Sequence, residues 1–347
     1  MIIKMKYNAA SHQRSNPFIT LLVITIVTSL FFAVSTMAQA TPKPGDKLTL
    51  TVNDVEFVFC HIPAGEFMMG SPENEVGRDE ETEKLHKVLI SKPFYMMETP
   101  ITQKQLMALT KDARALAKCR FKGDNNPVEN QFNMIAQAKT VCEKLGEATG
   151  KKFRLPTEAE WEYACRAGTT TPFHYGEDLD WTMANFAGFK PYGKGTKGKL
   201  RNKTTEVKQF QPNTWGLYDM HGNVAELCVD HILPDTDMYA DGIVDPGAAD
   251  PEFIGMIRDT VAYFPEREVN PKAGKPRDKD TLTITRMGTK AETIEADPKK
   301  VIYSKQVVRG GAYNVGAAEC RSASKSIDYA PNLEVDYVGY RLVLIPE

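Results

Sequence analysis

The sequence predicts an α+β protein with much irregular structure, and three observations carry that prediction. Paired strand patterns open the domain, three helices carry a capping residue or a clean apolar stripe, and residues 166–225 are rich in Gly, Asn, Thr and aromatics without a sustained period. Leu48–Val52 and Val55–Ile62 read as two strands, rich in β-branched and aromatic residues and joined at the turn pair Asn53-Asp54. Pro63-Ala64-Gly65 breaks the run, and Phe67-Met68-Met69-Gly70 starts a further apolar segment. Residues 71–86 are strongly charged and read as a solvated loop, after which Thr102 caps a helix through Leu106 and Leu109 toward Leu116. Met134, Ala138, Val141 and Leu145 fall on one helical face that Gly150 stops. In the third helix, Thr157 and Glu160 form a capping box, and Trp161 and Cys165 share a face suited to a core.

Composition narrows the class. With 347 residues, 42% of them apolar and 9% aromatic, the chain carries enough apolar mass for a sizeable core. Its net charge of −2 offers no global basic field for nucleic acid. Lys4, Lys6 and Arg14 precede an apolar run from Phe18 to Val34, and Ala38-Gln39-Ala40 follows, so residues 1–40 read as a secretory signal. The expected address is periplasmic or secreted, with no stable membrane span once the signal is cleaved. Residues 41–54 read as linker and first strand, 55–347 as the domain, and 252–300, polar and rich in Pro, Lys and Asp, as a surface insertion. Cys60, Cys119, Cys142, Cys165, Cys228 and Cys320 permit three disulfides in an oxidising compartment, with the pairing left open; Cys228–Cys320 is one candidate.

Four segments belong together. They are Ile62-Pro63-Ala64-Gly65-Glu66-Phe67-Met68-Met69-Gly70-Ser71; Arg154-Leu155-Pro156-Thr157-Glu158-Ala159-Glu160-Trp161; Trp215-Gly216-Leu217-Tyr218-Asp219-Met220-His221-Gly222-Asn223-Val224 with Glu226; and Arg309-Gly310-Gly311-Ala312-Tyr313 with Cys320-Arg321-Ser322-Ala323 and Gly339-Tyr340-Arg341. In this order they resemble the formylglycine-generating enzyme, or sulfatase-modifying factor, family. The resemblance covers roughly residues 55–347 outside the insertion and implies a C-type-lectin-like α+β fold with structural calcium.

Position by position, the resemblance implies Asp219 and Glu226 as calcium side-chain ligands, with carbonyls from Gly222 and Val224. A second calcium site maps onto Asn185, the Phe186 carbonyl and residues 199–201, where Lys199 stands in place of an acidic ligand and argues against that site. The family's copper oxidases need two cysteines five residues apart, because copper(I) is soft and favours paired thiolates. Counting from the double glycine, those positions hold Val315 and Cys320; aligning on Cys320-Arg321-Ser322-Ala323 instead makes Cys320 structural. Either way one thiolate is missing, Ala312 replaces the active-site serine, and copper is not expected. The family's iron-dependent branch needs an HxxxHxE triad, a spacing absent from the six histidines. His221 reads as a hydrogen-bonded residue, and the basic Gly193–Lys199 stretch lacks P-loop spacing and reads as a solvated loop.

The leading expectation is therefore an exported family member without the copper-binding cysteine pair, binding a peptide, protein or small molecule. Its lectin-like cleft would be lined by Trp215, Gly310, Gly311, Ala312, Tyr313, Asn314 and Arg321. The alternative is an oxidative maturation enzyme (a cysteine-to-formylglycine oxidase or a related exported oxidase) with Cys320 as a single catalytic thiol. A third reading is an envelope component that docks through the 252–300 insertion.

Overall fold

A hairpin starts the domain in the computed structural model, which describes residues 41–131, 133–232, 242–246, 281–284, 292–295, 305–325 and 334–346. Strands β1 (Lys47–Val52) and β2 (Val55–Ile62) pair antiparallel through Asn53 and Asp54, whose φ of 50° and 61° give the left-handed turn that such a two-residue loop demands. β3 (Gly65–Met69) and β4 (His86–Ile90) pair next, followed by β5 (Phe94–Met97). Helix α1 (Gln103–Thr110) carries a complete Thr102–Gln105 capping box. It ends before Leu116, because Lys111 turns left-handed and Asp112 caps a separate 3-10 turn, Ala113–Leu116. Helix α2 (Met134–Thr149) buries Met134, Ala138, Val141 and Leu145 and stops at Gly150. After β6 (Lys152–Arg154), helix α3 (Glu158–Arg166) begins at the Thr157–Glu160 box, and all nine of its residues are buried.

Strand β7 (Ala225–Ile232) follows the long irregular stretch; then come β8 (Ile243–Val244), β9 (Thr281–Ile284), β10 (Glu292–Glu295), β11 (Lys305–Arg309), β12 (Val338–Gly339) and β13 (Val343–Ile345). The largest sheet runs β1-β2-β5-β13-β6; β11-β7-β12 and β3-β4-β8 form two smaller ones. One apolar cluster joins the large sheet to α1 and α2 through Phe57, Phe59, Leu106, Val141, Leu145 and Leu344, and a second surrounds Trp161 on α3. A third, around Phe173, Phe186 and Cys320, fills the irregular region. Residues 1–40 lie outside the described residues, and of the 252–300 segment only β9 and β10, paired with each other, are described.

The cysteines correct the sequence expectation. All six are free thiols, scattered over three apolar clusters, with Cys228 beside Trp161 and Cys320 beside Phe173. Burial raises the Cys165 thiol to about 12 and Cys60 to about 11, so both behave as small apolar groups. The charged loop 71–86 is also corrected. Glu83 and Ser71 are buried there, and Glu83 with Glu75 grips Arg321.

Candidate functional site

Three residues entering β7 take positive φ: Asp219 at 56°, Gly222 at 87° and Asn223 at 68°. The backbone of Asn185 crosses at Gly222, where a Cβ would lie 2.3 Å from the Asn185 carbonyl oxygen, so the crossing requires glycine. Asn223 N–H donates to the Asn185 carbonyl at 2.7 Å, and Gly222 N–H donates to the Gly310 carbonyl at 2.7 Å. Asn223 Oδ1 accepts from Asn185 Nδ2 at 3.0 Å and from Thr205 N–H at 2.9 Å. Asparagine side chains thus hold the irregular stretch together by replacing missing ladder bonds.

Glu226 is committed elsewhere than the resemblance implies. It is fully buried and takes a two-pronged pair from Arg341, Nε to Oε2 and Nη2 to Oε1, each at 2.6 Å. Trp161 Nε1 donates to the same Oε2 at 2.8 Å. Both oxygens are therefore used and the charge is neutralised, and a calcium ion here would strand a buried guanidinium. Asp219 stands apart from this pair: Oδ2 accepts Lys208 N–H at 2.9 Å, while Oδ1 is buried with no partner. Burial pushes its carboxyl up to about 6. Val224 is fully buried.

At the second mapped site, Asn185 Oδ1 is also buried and unpartnered, and Phe186 is fully buried in the aromatic cluster. Arg201 donates there to the carbonyls of Trp181 (2.8 Å) and Ala184 (3.2 Å), putting a fixed cation where an ion was expected. Among the described residues, no group of three or more His, Cys, Asp or Glu is placed to hold a metal. Of the implied side-chain ligands, Asp219 Oδ1 and Asn185 Oδ1 are buried without a partner, whereas both Glu226 oxygens are taken, so Glu226 does not fit the calcium role.

The loop expected to carry redox chemistry is closed. Cys320 is fully buried, its Sγ lies 3.5 Å from the Gly316 carbonyl oxygen, and burial raises its thiol well above the ordinary range. A Cβ on Gly311 would lie 2.5 Å from that sulfur, so the double glycine makes room for the protein's own thiol rather than for a ligand. Such burial is the setting of an unreactive structural thiol. Val315, five residues earlier, is partly buried in the same cluster.

The residues expected to line one cleft are dispersed. Trp215 packs edge-on to Tyr163 at 4.9 Å, whereas Tyr313 packs edge-on to Phe121 at 5.4 Å. Gly310 backs onto Trp161, Ala312 is buried, and Arg321 is sealed between Glu75 and Glu83. Only Asn314 of that set is exposed. The reason is common to most of them: the motif side chains satisfy one another in the interior.

His221 is likewise interior. Its Nδ1 faces the Cys320 carbonyl at 2.7 Å, its Nε2 accepts His174 N–H at 3.2 Å, and the two rings stack at 4.8 Å. Burial lowers His221 to about 4 and His174 to about 2, so both stay neutral in the folded chain. A histidine depressed in this way contributes stability that is complete above its ordinary value near 6.5. That contribution drains away as pH falls from there toward 4. Asp219 and Asp230, raised by burial to about 6 and about 7, act oppositely over the same window. Comparing His221→Gln with the parent isolates the histidine: its stability deficit should shrink by about 2–3 kcal/mol between pH 8 and pH 4. Urea midpoints across pH check this, and a constant deficit refutes it.

Sequence reasoning missed one corner. Glu129 is fully buried, Oε1 accepts Phe121 N–H at 2.9 Å, Oε2 has no partner, and burial pushes the carboxyl up to about 7. Tyr313 hydrogen-bonds Asp336 nearby, and Arg120 pairs with Asp336. Near neutral pH Glu129 can hold or release a proton. Nothing in its local sequence marks it.

Residues 56–345 match the family model described as a sulfatase-modifying factor enzyme 1-like domain. The chain belongs to that family. The sulfatase-modifying-factor domain is 26% identical over 265 residues to the formylglycine-generating enzyme of Streptomyces coelicolor, covering 62% of this chain and 80% of that enzyme. It is 32% identical over 212 residues to the serine/threonine-protein kinase pkn1 of Chlamydia pneumoniae, covering 54% of this chain but only 29% of the kinase. The chain thus spans under a third of that relative's length. Among solved structures, PvdO from Pseudomonas aeruginosa superposes with a TM-score of 0.60 at 24% identity, over 88% of this chain and 99% of that one. That likeness establishes the formylglycine-generating-enzyme type of fold.

Proposed function

We propose that this sulfatase-modifying-factor protein is an exported binding member of its family, acting on a peptide, protein or small molecule rather than oxidising cysteine with copper. The observation that carries the reading is the pair of positions five residues apart: Val315 has no thiol, and Cys320 is buried against Gly311 and Gly316. Copper(I) held by twin thiolates has no second sulfur there. Ala312 adds no hydroxyl, and the ion pairs of Arg309, Arg321 and Arg341 keep the scaffold whole without that chemistry. The Chlamydia kinase supports the same reading, because there a matching segment is a minor part of a protein named for another activity. Export rests on the basic start, the apolar run from Phe18 to Val34 and Ala38-Gln39-Ala40.

Purified protein incubated with a CxPxR peptide, copper and oxygen tests the reading by mass spectrometry. The expected result is unmodified peptide. Formylglycine appearing at turnover amounts would overturn it.

A further inference from the structure

One surface of the irregular region is unlike the rest. Residues 181–205 contain six basic side chains (Lys190, Lys194, Lys197, Lys199, Arg201 and Lys203) and no acidic one, in a chain whose net charge is −2. The same stretch exposes three large apolar side chains, Trp181 at 37%, Phe189 at 49% and Leu200 at 39%. They form one platform. Ala187 bridges antiparallel to Leu200, Gly198 N–H donates to the Gly188 carbonyl at 2.7 Å, and Gly198 lies flat on the Trp181 indole, where a Cβ would come within 1.9 Å of the ring. Arg201 stacks over both Trp181 (5.6 Å) and Phe210 (5.2 Å), fixing the indole, and Lys190 lies over Phe189 at 5.9 Å.

The five lysines are exposed and, among the described residues, form no salt bridge. Of the acidic groups around the stretch, Glu206 follows it and is exposed, and Glu319 Oε2 comes near Lys190 beside Gly316, while two that precede it are occupied locally. Asp178 accepts from Lys194 N–H at 2.6 Å, and Asp180 accepts from Thr182 N–H at 2.8 Å. The platform is anchored to the described loop, since Ala187 N–H donates to the Val315 carbonyl and Ala317 N–H to the Lys190 carbonyl.

We propose that this platform docks on an anionic lipid surface, with Trp181, Phe189 and Leu200 entering the headgroup boundary and the lysines meeting the lipid phosphates. Exposed aromatic and aliphatic side chains set among lysines that form no salt bridge have the composition of an interfacial membrane contact. Each lysine near an anionic surface strengthens attachment by roughly five-fold, and the attraction decays within a Debye length. An acidic peptide would use the lysines but leave three exposed apolar side chains in water, which favours the lipid. The inference does not depend on the absence of copper chemistry.

Co-sedimentation of the full chain with phosphatidylcholine vesicles, with and without phosphatidylglycerol, tests it. Binding should require phosphatidylglycerol, weaken as salt rises, and shift the Trp181 emission to the blue. Phe189→Ala and Lys197→Gln change only exposed side chains; each should lower binding about five-fold, and together by more than ten-fold. Trp181→Ala also disturbs the Gly198 contact, so the conclusion rests on the other two variants. Equal affinity for both vesicle types, unchanged binding by the double variant, or capture by polyglutamate without vesicle binding would each overturn the proposal.

Discussion

Glu226→Gln is expected to destabilise the fold by about 3–5 kcal/mol, because it leaves Arg341 charged, fully buried and without its carboxylate. The loss should be the same in calcium and in chelator, since both Glu226 oxygens already serve Arg341 and Trp161. Replacing the pair together, Glu226→Met with Arg341→Met, should recover much of the loss, as buried pairs commonly exchange for apolar residues at little net cost. Denaturant titrations of the three variants in both buffers decide the matter. A parent protein whose midpoint drops on chelation while Glu226→Gln does not respond would restore the calcium role that the family resemblance implies.

Arg321→Met should cost a similar amount and act at a distance. Arg321 Nη1 reaches Glu75 at 2.5 Å and Glu83 at 2.8 Å, with all three side chains almost fully buried. Removing the cation leaves two carboxylates close together in the interior, at a cost of about 3–5 kcal/mol. The charged loop between Ser71 and His86 then loses its anchor. Digestion by a glutamate-specific protease should cut after the exposed Glu80 or Glu81 much faster than in the parent. An unaltered cleavage rate with unaltered stability would mean that the loop is held by something other than this cation.

Local chemistry was legible and distant pairing was not. The Asn53-Asp54 hairpin, the α2 stripe ending at Gly150 and the Thr157–Glu160 box each depend on residues within one element, and each stands as read. The motif order also identified the family, whose model matches residues 56–345. The roles of the motif residues escaped because their partners lie far off: Glu226 is 115 positions from Arg341, and Glu83 is 238 from Arg321. No spacing rule links such groups, so an acidic residue beside a Gly-Asn turn reads as a metal ligand until its guanidinium is seen. The cysteines misled for the same reason, since an even count says nothing about separation in space. Glu129 was invisible because its character comes from burial alone.

The place of β13 has a consequence for how the chain matures. That strand, Val343–Ile345, lies between β5 and β6 in the largest sheet although it follows both in sequence by about 190 residues or more, so the sheet has a gap until it arrives. Its neighbour Arg341 closes the Glu226 pair at the same moment. A polypeptide emerging from a ribosome or a translocation pore therefore cannot assemble this domain progressively from its front end. Completion of the sheet must wait for residues 341–345, with slow closure of long-range contacts, and chaperones that hold unfinished chains should find the domain a long-lived client.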